Sequence, residues 1–257
     1  MEQIVFKEYS FGKILSESWR LFKENFKLIL IITLIVYTPV NIILAVFQLG
    51  ELPIWKQALT SALFTGLIEI IAAMAIIIVV KSKIDGVPLD LKSAFKKSFS
   101  KWPSAVVTNI LKGVLLIFLF ILLIVPGIIY SVFWMFNLYA VVLSDKSGKG
   151  ALDYSKSVVK GRWGKALIYG AYISLLVGFF SLIIGFVFSV IFSFIKLIWG
   201  KTIFNFLGYT LESIIYSFSQ VALTVFFINL DATSRRAPDA LTKGNQNEVL
   251  QSEPKVK

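Results

Sequence analysis

SAVVTNILKGVLLIFLFILLIVPGIIYSVFWMFNLYAVVL, residues 104–143, decides how the whole chain is read. Apart from Lys112 and a few hydroxyls and carboxamides it is apolar from end to end. As a single α-helix it would be about 60 Å long, twice the roughly 30 Å hydrocarbon core of a bilayer. Pro126-Gly127 divides it, because proline ends or bends a helix and glycine accepts the positive φ that a reversal demands. The stretch is therefore expected to form a hairpin of two spans, near 104–125 and 127–144.

Working outward, comparable apolar runs lie near 28–49, 58–80, 166–196 and 204–229, which makes about six spans in one membrane domain, 1–230. The whole chain agrees: 57% of its 257 residues are hydrophobic, beyond the usage of a soluble domain. The expected fold is all-α, a polytopic membrane helical bundle. Residues 231–257 turn polar and lose periodicity, so a disordered cytoplasmic tail is expected there. Ser10–Lys27 mixes charges with large apolar residues and has no small-residue cleavage site, so it is not a signal peptide. The absence of histidine and cysteine excludes thiolate nucleophiles, Cys/His metal sites and Ser-His-Asp chemistry.

Lysine and arginine collect on the cytoplasmic side of short loops. Here they cluster before the first span, after the second (Lys81 to Lys101), after the fourth (Lys146 to Lys165) and after the sixth, while the other loops hold only Lys56, Lys196 and Lys201. Six spans put every cluster on one face; five or seven would scatter them. Both termini are expected in the cytoplasm, and the chain in a plasma membrane.

Each odd-numbered span is preceded by a segment with helical amphipathic spacing. The first sets Phe11, Ile14, Leu15, Ser18, Trp19, Phe22 and Phe26 against Lys13, Glu17, Arg20, Lys23 and Glu24. The second sets Leu91, Phe95, Phe99 and Trp102 against Lys92, Lys96, Lys97 and Lys101; the third sets Leu152, Ser155, Val159 and Trp163 against Asp153, Lys156, Lys160 and Arg162. Ile14, Ser18, Lys23 and Phe26 align without a gap on Ala151, Ser155, Lys160 and Trp163, and the middle copy, Ala94, Ser98 and Trp102, is one turn shorter. A three-fold repeat of interfacial helix plus hairpin is expected. Such helices lie among headgroups, and Lys92, Lys96, Lys97, Trp102, Lys156, Lys160, Arg162 and Trp163 are the candidate contacts to the bilayer and its anionic phospholipid headgroups. The simpler alternative is that the helices pack against the spans.

Leu122 to Ile129, Tyr139 to Leu143 and Ala151 to Trp163 together resemble the bacterial and archaeal membrane-domain family named after the membrane part of glycerophosphoryl diester phosphodiesterases, with its stand-alone relatives. The shared pattern is an L-x-x-P-G-I hairpin, a short span and an A-L-x-x-S-x-x-L-x-K-G-x-W helix; here Val158 or Val159 stands where leucine is usual. The resemblance implies a prokaryotic integral membrane protein without assigned activity. In fused relatives the diesterase chemistry belongs to a separate barrel domain using histidine, glutamate and a metal, and a chain without histidine cannot inherit it.

Ionisable groups within spans are functional candidates by default. Glu69 and Lys112 are expected at similar depth, which permits an ion pair, with a structural clamp or a snorkelling Lys112 as the plainer alternatives. Glu212 should reach the outer interface. Asn41, Asn109, Asn137, Gln220 and Asn229 are expected to bridge helices, and the glycines at 170, 178 and 185 to allow close approach or bending of a long fifth span. No enzyme, cofactor, metal or nucleic-acid partner is expected, since Glu69 and Glu212 should lie toward opposite leaflets. Two functions stay open: a module organising lipid or partner proteins through its basic helices, and a small carrier holding cargo between Glu69 and Lys112.

Overall fold

In the computed structural model residues 8–47, 53–194 and 200–252 are described. Positions 48–49 of the first expected span, 195–196 of the fifth and 253–257 of the tail lie outside them. Among the described residues there is helix and no strand: α1 (Phe11–Glu24), α2 (Phe26–Phe47), α3 (Ile54–Phe64), α4 (Ile70–Ile84), α5 (Leu91–Leu122), α6 (Ile124–Phe133), α7 (Asn137–Ser144), α8 (Gly148–Val159), α9 (Trp163–Phe194) and α10 (Gly200–Ser252).

Among the described residues five stretches are long and apolar enough to cross a membrane: Phe26–Ile43, Leu91–Leu122, Ile124–Ser144, Trp163–Ile191 and Phe206–Arg235. The span expected near 58–80 is helical but not one α-helix. α3 passes into a π-turn at Thr65–Glu69 and then into α4, so neither α-helical piece is as long as the five spanning stretches. A π-turn fits one extra residue into the ladder and re-aims the helix beyond it, a change that apolar periodicity does not report.

The core is built round α4, in which every residue from Ile70 to Val80 is buried. A helix buried on all sides is central by necessity. Val221, Val225, Phe226, Phe227 and Leu230 of α10 and Tyr139 to Val142 of α7 complete this core. The outer halves of α5 and α9 face away, exposing Ile117, Phe118 and Ile121 on one and Leu175, Leu182 and Phe186 on the other. Apolar surface of this extent belongs in lipid, not water.

The hairpin differs from expectation in where it turns. The break is at Leu123, in extended backbone (φ −157, ψ 130), three residues before Pro126. Pro126 sits instead in the first turn of α6, where its missing N–H costs nothing. Gly127 is needed for space: a Cβ there would lie 2.5 Å from Cδ1 of Phe120, on the opposite arm.

The amphipathic segments also depart from expectation. α1 starts at Ser10, whose hydroxyl accepts from the Lys13 N–H at 3.3 Å. Its buried stripe of Ile14, Ser18, Leu21 and Phe22 lies on α10, where Trp19 and Phe22 meet the Phe218 ring. α8 buries Ala151, Leu152, Ser155, Val158 and Val159 against α5, α6 and α7. The second segment is not a separate helix, because α5 runs unbroken through Trp102 and Pro103. Of the three expected interfacial helices two are therefore distinct and one is fused to its span. Asn25 ends α1 and Gly161, at φ +81, follows α8; the shorter middle copy has no such breaker.

The α10 backbone is helical through Ser252, and at the start of the stretch expected to be a disordered tail two charges are engaged: Asp231 pairs with Arg235 at 2.8 Å and accepts from the Tyr154 hydroxyl at 2.5 Å. Composition treats these groups as solvated, whereas α8 supplies them with a partner.

Candidate functional site

The basic clusters meet at one end of the bundle. Lys83, at the end of α4, pairs with Glu24 of α1 at 3.3 Å. Lys101 pairs with Asp145 and donates to the Val142 carbonyl, both at 2.6 Å, tying α5 to the end of α7. Glu8 pairs with Arg162 at 3.0 Å and Lys165 at 2.8 Å, while Arg162 also donates to the Leu230 carbonyl at 3.0 Å and the Thr233 hydroxyl at 2.6 Å. On the outer face of α1, burial lifts the Glu17 carboxyl, but hydrogen bonds from Arg20 and Lys13 outweigh it and hold the group below its ordinary range. Burial, with the Asp231 hydrogen bond behind it, pushes the Tyr154 hydroxyl up.

The eight residues read as lipid contacts divide in two. Lys92, Lys96, Lys97 and Lys160 are exposed and have no acidic partner among the described residues. The other four are engaged within the protein. Lys156 lies over the rings of Tyr130 and Phe133, at 5.1 and 5.7 Å, and Arg162 is held as above. Trp102 donates its indole N–H to the Leu67 carbonyl at 2.6 Å, and Trp163 donates to Ile129 at 3.1 Å. The two tryptophans occupy the same place in the sequence alignment, and their acceptors lie 35 and 34 residues upstream. That near-constant separation was available to sequence reasoning and was missed.

Glu69 and Lys112 are not paired. Lys112 donates to Asn137 Oδ1 at 3.2 Å, and Asn137 donates to Asn109 Oδ1 at 2.6 Å, a chain of three polar side chains between α5 and the start of α7. The expectation of a pair rested on depth, which gives position along a helix but not around it. Ala105, Thr108, Asn109 and Lys112 share one face of α5, and that face is applied to α7 and to Gly148, whose N–H donates to Thr108. Glu69 ends the π-turn half-buried, with no ion pair or hydrogen bond among the described residues. Glu212 is likewise half-buried.

The double change Glu69→Gln with Lys112→Met should therefore show no coupling. Lys112→Met with Asn137→Ala should couple by about 1 kcal/mol, the scale of polar contacts between membrane helices. Reversible unfolding in detergent measures both cycles, and coupling to Glu69 instead would contradict this geometry.

The remaining carboxamides bridge segments. Asn41 donates to Ser213 at 3.3 Å, Gln220 accepts from Tyr139 at 3.2 Å, and Asn229 accepts from the N–H of Tyr9 at 2.9 Å. α9 is continuous through Gly178 and Gly185, beside which there is open space; Gly170 is the close contact, 2.9 Å from its Cβ position to Met135 Cε. No group of acidic residues able to hold a metal ion occurs among the described residues.

No protein-family model matches this chain, and neither a curated protein nor a solved structure is similar to it at a significant level.

Proposed function

We propose that this is a non-enzymatic integral membrane protein of the prokaryotic plasma membrane, with both termini in the cytoplasm, that organises anionic lipid or partner proteins at the inner surface. The observation that carries this reading is the single basic end, where Lys92, Lys96, Lys97 and Lys160 stand exposed without acidic partners among the described residues, on a chain of net charge +11. Each lysine near an anionic surface contributes about 1 kcal/mol.

Six spans are the count this reading uses. Lys83 lies beside Glu24, so a chain that leaves through α2 has returned to the same end by the close of α4. The stretch 54–84 must then cross despite its π-turn. The three-fold repeat has support of the same kind: Ser18, Ser98 and Ser155 are all fully buried, as are Ala94, Ala151 and, at 1% exposure, Ile14. Each amphipathic segment also rests on the second span of another unit, α1 on α10, the start of α5 on α4, and α8 on α6 and α7. The likeness to the phosphodiesterase membrane-domain family belongs to this proposal and rests on the hairpin and the Ala151 to Trp163 segment alone.

Neutralising Lys92, Lys96 and Lys97 together to glutamine should lower retention of phosphatidylglycerol relative to phosphatidylcholine by about a hundredfold if all three contribute fully. Native mass spectrometry of protein extracted from mixed vesicles reads this out. Equal retention of the two lipids by the unaltered protein would sink the proposal.

A further inference from the structure

Lys112 carries a charge that no carboxylate among the described residues meets. It lies about 15 Å along α5 from Trp102 and from Leu122 alike, midway through the apolar part of the helix. Its one hydrogen bond runs to Asn137 Oδ1 at 3.2 Å, and it has no ion pair. A cation at this depth is costly unless a counter-charge meets it.

The direction of the hydrogen bonds is a second observation. An ammonium has three N–H donors and no acceptor, so Asn137 turns its oxygen to Lys112 and its amide nitrogen to Asn109, whose oxygen receives it at 2.6 Å. The amide nitrogen of Asn109 is then the free end of the chain. Both amide oxygens are engaged, while the remaining N–H groups of Lys112 and Asn109 have no acceptor among the described residues. Three side chains from two helices thus present surplus donors and one positive charge, the complement of a carboxylate. Asn137 is 3% exposed, whereas Asn109 and Lys112 are half-buried and reachable. Beside them a Cβ on Gly113 would meet nothing within 4 Å, and Leu115, one turn beyond Lys112, is exposed. The cluster is open sideways to the bilayer.

We propose that Lys112, Asn109 and Asn137 bind the carboxylate of a long-chain fatty acid that enters from the bilayer. The ammonium supplies the counter-charge and donates to one oxygen, the Asn109 amide nitrogen donates to the other, and Asn137 holds the two donors in place. The open flank at Gly113 and Leu115 takes the start of the hydrocarbon chain. Depth selects such an acid over a phospholipid: a single-chain molecule is drawn to the middle of the membrane whole, whereas a phospholipid would have to pull its glycerol and both chains with it. This site stands apart from the basic end and does not depend on its role.

The test uses the full chain, stripped of lipid and placed in phosphatidylcholine nanodiscs, with oleic acid as the probe and oleyl alcohol as its uncharged counterpart, read by native mass spectrometry. The expected result is one oleate held per chain and preferred about tenfold or more over the alcohol. That preference should vanish in Lys112→Met, fall a few-fold in Asn109→Ala, and be unchanged in Lys56→Gln. Equal retention of oleate by the unaltered protein and Lys112→Met overturns the proposal. Displacement of oleate by an equal amount of phosphatidylglycerol overturns it as well, since the occupant is then a lipid headgroup. Should Lys112→Met not fold, oleic acid carrying a diazirine beside its carboxyl decides in the unaltered protein: cross-links must fall within 105–116 of α5 or 134–140 at the start of α7, and cross-links confined to other segments overturn the site.

Discussion

Replacing Gly127 with alanine should destabilise the protein by about 2 kcal/mol, and the same replacement should become neutral or stabilising once Phe120 is shortened to alanine. The added Cβ would lie 2.5 Å from Cδ1 of Phe120 and 2.7 Å from Cγ. Because Cγ is attached directly to the Phe120 Cβ, turning the ring about its own axis does not relieve the contact. The side chain must change rotamer or the arms of the hairpin must separate. Alanine is favoured over glycine within a helix by about 1 kcal/mol, so the clash has to exceed that to give the expected sign. With Phe120 gone only the helix preference remains, and the sign reverses. Unfolding of the four variants in detergent gives the cycle; an alanine at 127 that stabilises the unaltered chain would mean that the arms are not in this contact.

Arg162→Ala should cost about 3 kcal/mol, and Arg162→Lys should recover less than half of it. One guanidinium reaches Glu8, the Leu230 carbonyl and the Thr233 hydroxyl, all within 3.0 Å. The planar fork serves three partners in different directions, and an ammonium on a flexible stem cannot match it. The loss should appear in thermal unfolding, and also as faster proteolysis near residue 8, since Glu8 would keep only Lys165. An Arg162→Ala protein as stable as the parent, with the same proteolysis, would show that these contacts carry no stability.

Sequence reasoning located the spans well where the evidence is one-dimensional. Apolar length located α2, α6 with α7 and α9 to within about six residues at each end, and the spanning parts of α5 and α10, although α5 begins at Leu91 and α10 runs on to Ser252; charge placement gathered the lysines at one end. What lies around a helix axis was less accessible. Lys112 and Glu69 were matched by depth, yet the face of α5 bearing Lys112 meets Asn137. Trp163 and Arg162 were assigned to headgroups because amphipathicity reports only that a face is apolar or basic, and protein can cover such a face as well as lipid can. The π-turn at Thr65–Glu69 has no hydropathy signature, since one extra residue in a largely apolar run leaves its mean hydropathy unchanged. Leu123 carries no turn signal of its own, whereas Pro126 does, although a proline is equally at home just inside a helix start.

The resting place of α1 on α10, with the Tyr9 N–H bound to Asn229, has a consequence for the proposed three-unit design. Tandem-repeat proteins that stack in a line have two open ends, need capping repeats to protect them, and can lengthen by adding copies. Here the first unit covers the last, so each end caps the other. Such an array is closed like a ring although its backbone is not. In that design, loss of any one unit would uncover two faces at once. On the proposed design the chain should unfold as one cooperative body instead of fraying unit by unit from its termini.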